Sequence, residues 1–114
     1  MDDVIFNKGD FMLKIVFKNM KPSRMARDYV LGKMSPILDK FPSLNDHNVT
    51  LTLEMENSPR LPGEDSYSVA SVISGKKFKF MRLKKTSNNF YVAASEMIES
   101  LHEVLGRLSK KINS

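Results

Sequence analysis

Six cations lie within one ten-residue stretch of this 114-residue chain. The stretch reads KKFKFMRLKK, and its cations are Lys76, Lys77, Lys79, Arg82, Lys84 and Lys85. The formal net charge of the whole chain is +5, so the rest of the sequence is slightly acidic. Clustered cations attract polyanions, so this stretch predicts a phosphate-binding surface. The same charges could instead protect an exposed sheet edge from pairing with another strand.

Two aromatic residues within this stretch also allow two interpretations. Phe78 and Phe80 could stack on RNA bases, as aromatic residues do on the sheet of an RNA-recognition motif. That fold requires a further strand after its second helix, and the sequence ends at Ser114. We therefore interpret both phenylalanines as core residues.

Catalytic chemistry has little support in the sequence. The two histidines, His47 in a loop and His102 in a helical segment, lack partners at the spacing of a triad or a metal cluster. Gly63 and Gly75 are isolated turn residues and do not form a phosphate-binding loop. We therefore expect neither an enzyme nor a protein that binds a cofactor or metal.

The composition is that of a single soluble domain. The chain has no cysteine, which suits a reducing compartment, and no apolar run approaches the length that spans a bilayer. The N-terminal residues lack the features of a signal peptide. We expect a cytoplasmic protein that does not contact membranes, with an N-terminal extension at 1–10 and one α+β domain at 11–114.

Hydrophobic periodicity and helix caps define the elements that must position these charges. Residues 11–20, 48–57 and 65–74 show the alternation of strands, and the basic stretch 76–85 follows as a fourth strand. Ser23 and Asn89 are helix caps that precede apolar positions spaced three and four apart. The predicted order is therefore β-α-β-β-β-α.

This order predicts the architecture of the sheet. A helix joins the first two strands, so they should be parallel, whereas short connections make the second, third and fourth strands antiparallel. We expect a four-stranded mixed sheet with two helices on one face and a wet opposite face. The N-terminal VIF could add to this sheet or remain separate.

Two segments resemble the family of ribosome hibernation-promoting factors and ribosome-associated inhibitors, also called ribosomal subunit interface proteins. NMKPSRMARDYVLGKM, at 19–34, is similar to the family's first helix, in which a capping Ser or Thr precedes R-x-Y-V-x-x-K-L. The family's D-M-Y-x-A-I at the start of the second helix is similar to the run from Asn89 to Ala94. The order of elements agrees from Met12 to Ile112, and the chain resembles the short members, which lack a second domain.

The resemblance implies a double-stranded-RNA-binding-domain-like fold that docks in the small ribosomal subunit and occludes the messenger and transfer RNA sites. Its implied partner is ribosomal RNA, contacted through charge and shape, and the free protein is expected to be a monomer. The contacts carried over from the two helices are Arg27, Lys33, Arg107, Lys110 and Lys111. A general binder of structured RNA and a protein-interaction module remain the alternatives.

The second helix departs from the family pattern. Ser100 and Glu103 occupy positions where the resemblance implies cations, so part of the positive charge could have moved to the fourth strand. The helical cations also have simpler explanations, as a solvated face or as compensation for the helix dipole. The shared surface has a geometric test, because Arg27, Lys33, Lys84 and Lys110 must lie on one side of the domain.

Overall fold

The computed structural model describes residues 4–8, 11–41, 47–56, 66–75 and 81–112. Within them the chain forms five strands and two helices. The strands are β1 (Val4–Lys8), β2 (Phe11–Lys18), β3 (Asn48–Glu56), β4 (Ser66–Ser74) and β5 (Met81–Ser87). The helices are α1 (Arg24–Lys40), between β2 and β3, and α2 (Phe90–Ile112), after β5.

The strands form one mixed sheet in the spatial order β1-β2-β3-β4-β5. β2 and β3 are parallel, and β3, β4 and β5 are antiparallel neighbours. This confirms the predicted α+β fold and the predicted order from β2 onward. β1 pairs antiparallel with β2 and extends the sheet by one strand, which is one of the two possibilities that the VIF sequence allowed.

Alternation of side chains along the central strand separates the two faces of the sheet. Val49, Leu51 and Leu53 of β3 are at most 1% exposed, whereas Thr50 and Thr52 between them are half-buried. The buried residues pack with the apolar stripes of both helices in one core. We call the face that carries the helices the helical side, and the opposite face the open face.

Both predicted helix caps are confirmed. The Ser23 hydroxyl accepts a hydrogen bond from the Ala26 amide at 3.1 Å, and α1 then continues through Pro36 to Lys40. The Asn89 Oδ1 accepts hydrogen bonds from the amides of Tyr91 at 2.9 Å and Val92 at 3.3 Å. These bonds satisfy amides that have no partner within the helix.

Gly75 has a packing role that its sequence context did not indicate. His47, before β3, is 2% exposed, and a Cβ at position 75 would lie less than 3.0 Å from three atoms of its ring. Only glycine gives the imidazole this space. His47 is therefore part of the packed interior at this end of the sheet.

Several predictions concern residues outside the described ranges. They are the turn at Gly63 and the first half of the predicted basic strand, which contains Lys76, Lys77, Lys79 and both phenylalanines. The second half of that stretch forms the beginning of β5.

Candidate nucleic-acid interface

The two helices lie side by side and run in the same direction. Near their N-terminal ends, the Tyr29 hydroxyl is 2.6 Å from the Ser95 hydroxyl. At the end of α1, the Lys40 Nζ is 2.9 Å from the His102 Nε2 in the following turns of α2. Contacts thus advance along both helices together, which places both N-termini at one end of the domain and both C-termini at the other.

A cleft runs between the helices on the helical side. Its C-terminal part has a volume of about 590 Å³ and its middle part about 470 Å³. The C-terminal part is lined by Lys40, Phe41, His102, Glu103, Gly106 and Arg107. The middle part is lined by Lys33, Ile37, Ile98, Glu99, His102 and Glu103. Cations and carboxylates alternate here, so the cleft itself is not a strongly cationic pocket.

His102 connects α2 to the end of α1. The His102 Nε2 lies 2.9 Å from the Lys40 Nζ, within hydrogen-bond distance. The Phe41 ring meets the imidazole edge-on, with centroids 5.7 Å apart. The arrangement holds the C-terminal end of α1 against α2.

The predicted cations of α1 lie in different surroundings. Lys33 is exposed, and its Nζ lies 5.7 Å from the centroid of the Tyr29 ring, next to α2. Arg27 is half-buried, and its Nε is 3.4 Å from the Asp28 carboxylate. Six positions separate Arg27 from Lys33, which corresponds to about 120° around a helix. They belong to the same side of the domain but to different flanks of α1.

The cations of α2 lie in its last turns. Arg107 is exposed and lines the cleft, and Lys110 and Lys111 belong to the helix, although their side chains are outside what the structure describes. In sequence, α2 contains three cations and three carboxylates, whereas α1 contains four cations and two carboxylates. The excess positive charge of the helices therefore comes from α1.

The cations of β5 do not share one surface with the helices. Leu83 and Met81 pair with Ser71 and Ile73 and pack against the core, so Arg82 and Lys84 between them extend from the open face. The expected single surface that joins Lys84 with the helical cations is therefore wrong. Alternation in a strand is the reason, because a residue next to a core residue must face away from the core.

Lys84 and Lys85 illustrate this division. The Lys84 Nζ is 3.0 Å from the Glu56 carboxylate on the open face, and this hydrogen bond lowers the pKa of Glu56. Lys85 pairs in register with the buried Val69, which places it at the exposed margin of the helical side. Only one of the three β5 cations is thus available to a partner that covers the helices.

Apolar exposure at the start of the helices is a feature that sequence reasoning missed. Met25, Tyr91 and Val92 are exposed, and Tyr91 meets Tyr29 edge-on with ring centroids 4.9 Å apart. The signal was present, because Met25 and Tyr29 are four positions apart on α1 and Tyr91 directly follows a cap and a buried phenylalanine. Only the pairing of two parallel helices brings these residues together.

Within the described ranges, no group of three or more His, Cys, Asp or Glu residues could hold a metal ion. No helix in the same part of the chain is both long and apolar enough to cross a membrane.

Comparison with solved structures identifies proteins with a similar fold. The Protein Y N-terminal domain of Thermus thermophilus superposes with a TM-score of 0.57 at 17% identity, covering 82% of this chain and 92% of that one. A ribosomal subunit interface protein from Coxiella burnetii gives a TM-score of 0.60 at 13% identity, covering 84% and 97%. At these identities the two structures show a likeness of fold.

No curated protein matches the sequence. The sequence profile of the family described as sigma 54 modulation protein / S30EA ribosomal protein, however, matches residues 13–113, which include both helices and strands β3 to β5 entirely. The chain therefore belongs to this family of ribosomal subunit interface proteins and hibernation factors, and it is a ribosome-binding protein.

Proposed function

We propose that the chain binds the small ribosomal subunit through its helical side and inhibits translation by occupying the sites of messenger and transfer RNA. The observation that carries this proposal is the family match over residues 13–113, which spans both helices and β5. The protein acts in the cytoplasm, where ribosomes are found, and it is a monomer when free. Its role is ribosome hibernation or the response to stress.

The surface chemistry supports occlusion without catalysis. Lys33 and Arg107 are exposed on the helical side, and Lys85 borders it. Such cations bind phosphates by charge and spacing, which positions a protein on RNA but does not read base sequence. A domain held in this way blocks the messenger and transfer RNA sites by its volume, so inhibition requires no reacting group.

We assign the primary RNA contacts to the helical side of residues 11–114. They are Arg27, Lys33, Lys85, Arg107, Lys110 and Lys111. Arg82 and Lys84 face the other way and would reach RNA only if it also passed across the open face. Lys76, Lys77 and Lys79 precede β5 and remain candidate contacts from the sequence.

The test is co-sedimentation of the purified chain with small ribosomal subunits over a series of salt concentrations. About five phosphate contacts predict a slope of roughly −4 to −5 in a plot of log affinity against log salt. An unrelated structured RNA serves as competitor. We expect saturable one-to-one binding that resists the competitor.

Two charge reversals give a matched comparison of the two sides. Lys33→Glu and Arg82→Glu change the net charge equally, but only Lys33 lies on the helical side. We expect Lys33→Glu to weaken subunit binding and Arg82→Glu to leave it nearly unchanged. Equal weakening would contradict a helical-side interface. Equal displacement by any RNA would indicate a general RNA-binding domain, and no binding at low salt would indicate a protein-interaction module.

A further inference from the structure

We propose that the paired N-terminal ends of α1 and α2 form a stacking site for one unpaired RNA base. The site consists of Met25, Tyr29, Tyr91 and Val92, which we call the N-terminal patch. This proposal rests on the proposed binding of RNA and adds to it a contact that depends on a base ring and not on phosphate alone.

The N-terminal patch is the main apolar exposure of the described residues. Four large apolar side chains in these ranges are exposed, and three belong to the patch: Met25 at 73%, Tyr91 at 41% and Val92 at 42%. The fourth, Met12, lies in β2 and extends from the open face. Adjacent exposed apolar residues mark an interaction site more often than isolated ones do.

The rings of the patch are held in place by the protein. Tyr29 is fixed by its hydroxyl, 2.6 Å from the Ser95 hydroxyl, and Tyr91 follows the Asn89 cap. Tyr91 meets Tyr29 at 82° and Phe90 at 80°, with centroid distances of 4.9 and 5.3 Å. Both contacts are edge-to-face, so neither described neighbour provides the parallel stack that a nucleobase would make with Tyr91.

The charges around the patch favour the phosphates on either side of such a base. The Lys33 Nζ lies 5.7 Å from the centre of the Tyr29 ring, and Lys21 and Arg24 are exposed at the start of α1. The first turn of each helix, described in full, contains no acidic residue. Both helix dipoles also present their positive ends here.

Two carboxylates border the patch, Asp28 on α1 and Glu96 one turn after Val92 on α2, and the first of them is already paired. Asp28, beside Tyr29, lies 3.4 Å from the Arg27 Nε. The combination of an aromatic ring, an apolar thioether and surrounding cations suits an unstacked base with its flanking phosphates. An apolar peptide would use the rings but would gain nothing from the cations, so the charge pattern favours RNA as the occupant.

The test compares two RNA hairpins that differ in one nucleotide. One carries a single bulged fluorescent adenine analogue, and the other is fully paired. Stacking on one aromatic side chain predicts a preference for the bulged hairpin of roughly five- to hundredfold, with quenching of the analogue when it stacks on Tyr91. We expect Tyr91→Ala to abolish the preference and the quenching, and Tyr91→Phe to retain both.

Met12→Ala is the matched control, because Met12 lies on the open face and is exposed to nearly the same degree as Tyr91. It should leave the preference unchanged, and circular dichroism melts establish that each variant is folded. A preference and quenching that persist in Tyr91→Ala would overturn the proposal. So would equal affinity of the wild-type protein for both hairpins.

The same measurements separate this proposal from the proposed function. Subunit co-sedimentation without any preference for the bulge would overturn the stacking site alone. If Tyr91→Ala weakened subunit binding while the wild-type protein showed no bulge preference, the patch would contact a protein and the stacking site would be wrong. Failure to bind either hairpin or the subunit would overturn both proposals.

Discussion

The two faces of the sheet use neighbouring residues of the same strands for different purposes. On β3, Leu51 and Leu53 are fully buried on the helical side, whereas Thr52 is half-buried and Glu54 pairs with Lys18 at 3.8 Å on the open face. One face is fixed by packing, and the other is covered by polar side chains. Consecutive residues of one strand thus lie on opposite faces of the sheet, and a partner that covers one face does not contact the other.

This difference is clearest on β5, where sequence proximity suggested one basic surface. Because Leu83 contacts the core, its neighbours Arg82 and Lys84 lie on the open face. Lys85 lies on the helical side again. A cluster of cations in sequence is therefore not a cluster in space when it lies on a strand. On a helix, residues three or four apart share a face, so the helical cations remain closer together.

Paired truncations on β3 compare the two faces directly and should produce the largest effect. Leu53→Ala opens a cavity on the helical side, where Leu53 is 0% exposed, and should reduce the free energy of unfolding by about 2–5 kcal/mol. Thr52→Ala on the open face should cost about 1 kcal/mol or less. Urea denaturation measures both, and equal losses would show that the open face is also packed.

Double charge reversals extend the comparison to binding. Lys33→Glu with Arg107→Glu removes two proposed phosphate contacts, so the salt slope for small-subunit binding should become shallower by about two. Affinity should fall by roughly a hundredfold, since each contact is lost and repulsion is added. Arg82→Glu with Lys84→Glu makes the same change in charge on the open face and should have a much smaller effect. The opposite ranking would move the interface to the open face.

Removal of the α2 cap tests how firmly the helical side holds the N-terminal patch. Asn89→Ala leaves the amides of Tyr91 and Val92 without the Oδ1 acceptor, and the free energy of unfolding should fall by about 1 kcal/mol. Asn89→Asp retains an acceptor and should be nearly neutral. Thermal denaturation monitored by circular dichroism distinguishes the two, and identical melts would show that the cap contributes nothing.

The Glu56–Lys84 pair on the open face should give the smallest effect, with a defined pH dependence. The hydrogen bond from Lys84 lowers the pKa of Glu56 in the folded protein, so the stabilisation is present above pH 4.5 and is lost as pH falls through the lowered value. Both side chains are substantially exposed, which limits the effect to roughly 0.2–1 kcal/mol.

Glu56→Gln should therefore lower stability at neutral pH and have no effect well below pH 4.5, as measured by urea denaturation at the two pH values. A loss of the same size at both would mean that the carboxylate charge is not involved.

Much of the fold was readable from local patterns. The alternation in β3, the apolar stripe of α2 and the caps at Ser23 and Asn89 depend on neighbours close in sequence, and the structure confirms each of them. The family resemblance rested on similar short-range features and is confirmed by the match over residues 13–113. Prediction was weaker for β1, because a five-residue strand carries little periodicity and forms only when β2 offers an edge.

The candidate site was less predictable, because it depends on which elements meet. Sequence by itself determined the excess of cations, the positions of strands and helices, and the capped starts of both helices, since these follow from residue type and spacing. Tertiary structure alone decided that Arg82 and Lys84 face away from the helices, that Gly75 makes room for His47, and that Tyr29 meets Tyr91. Each of these depends on contacts between residues far apart in sequence, and burial of a shared core selects among them.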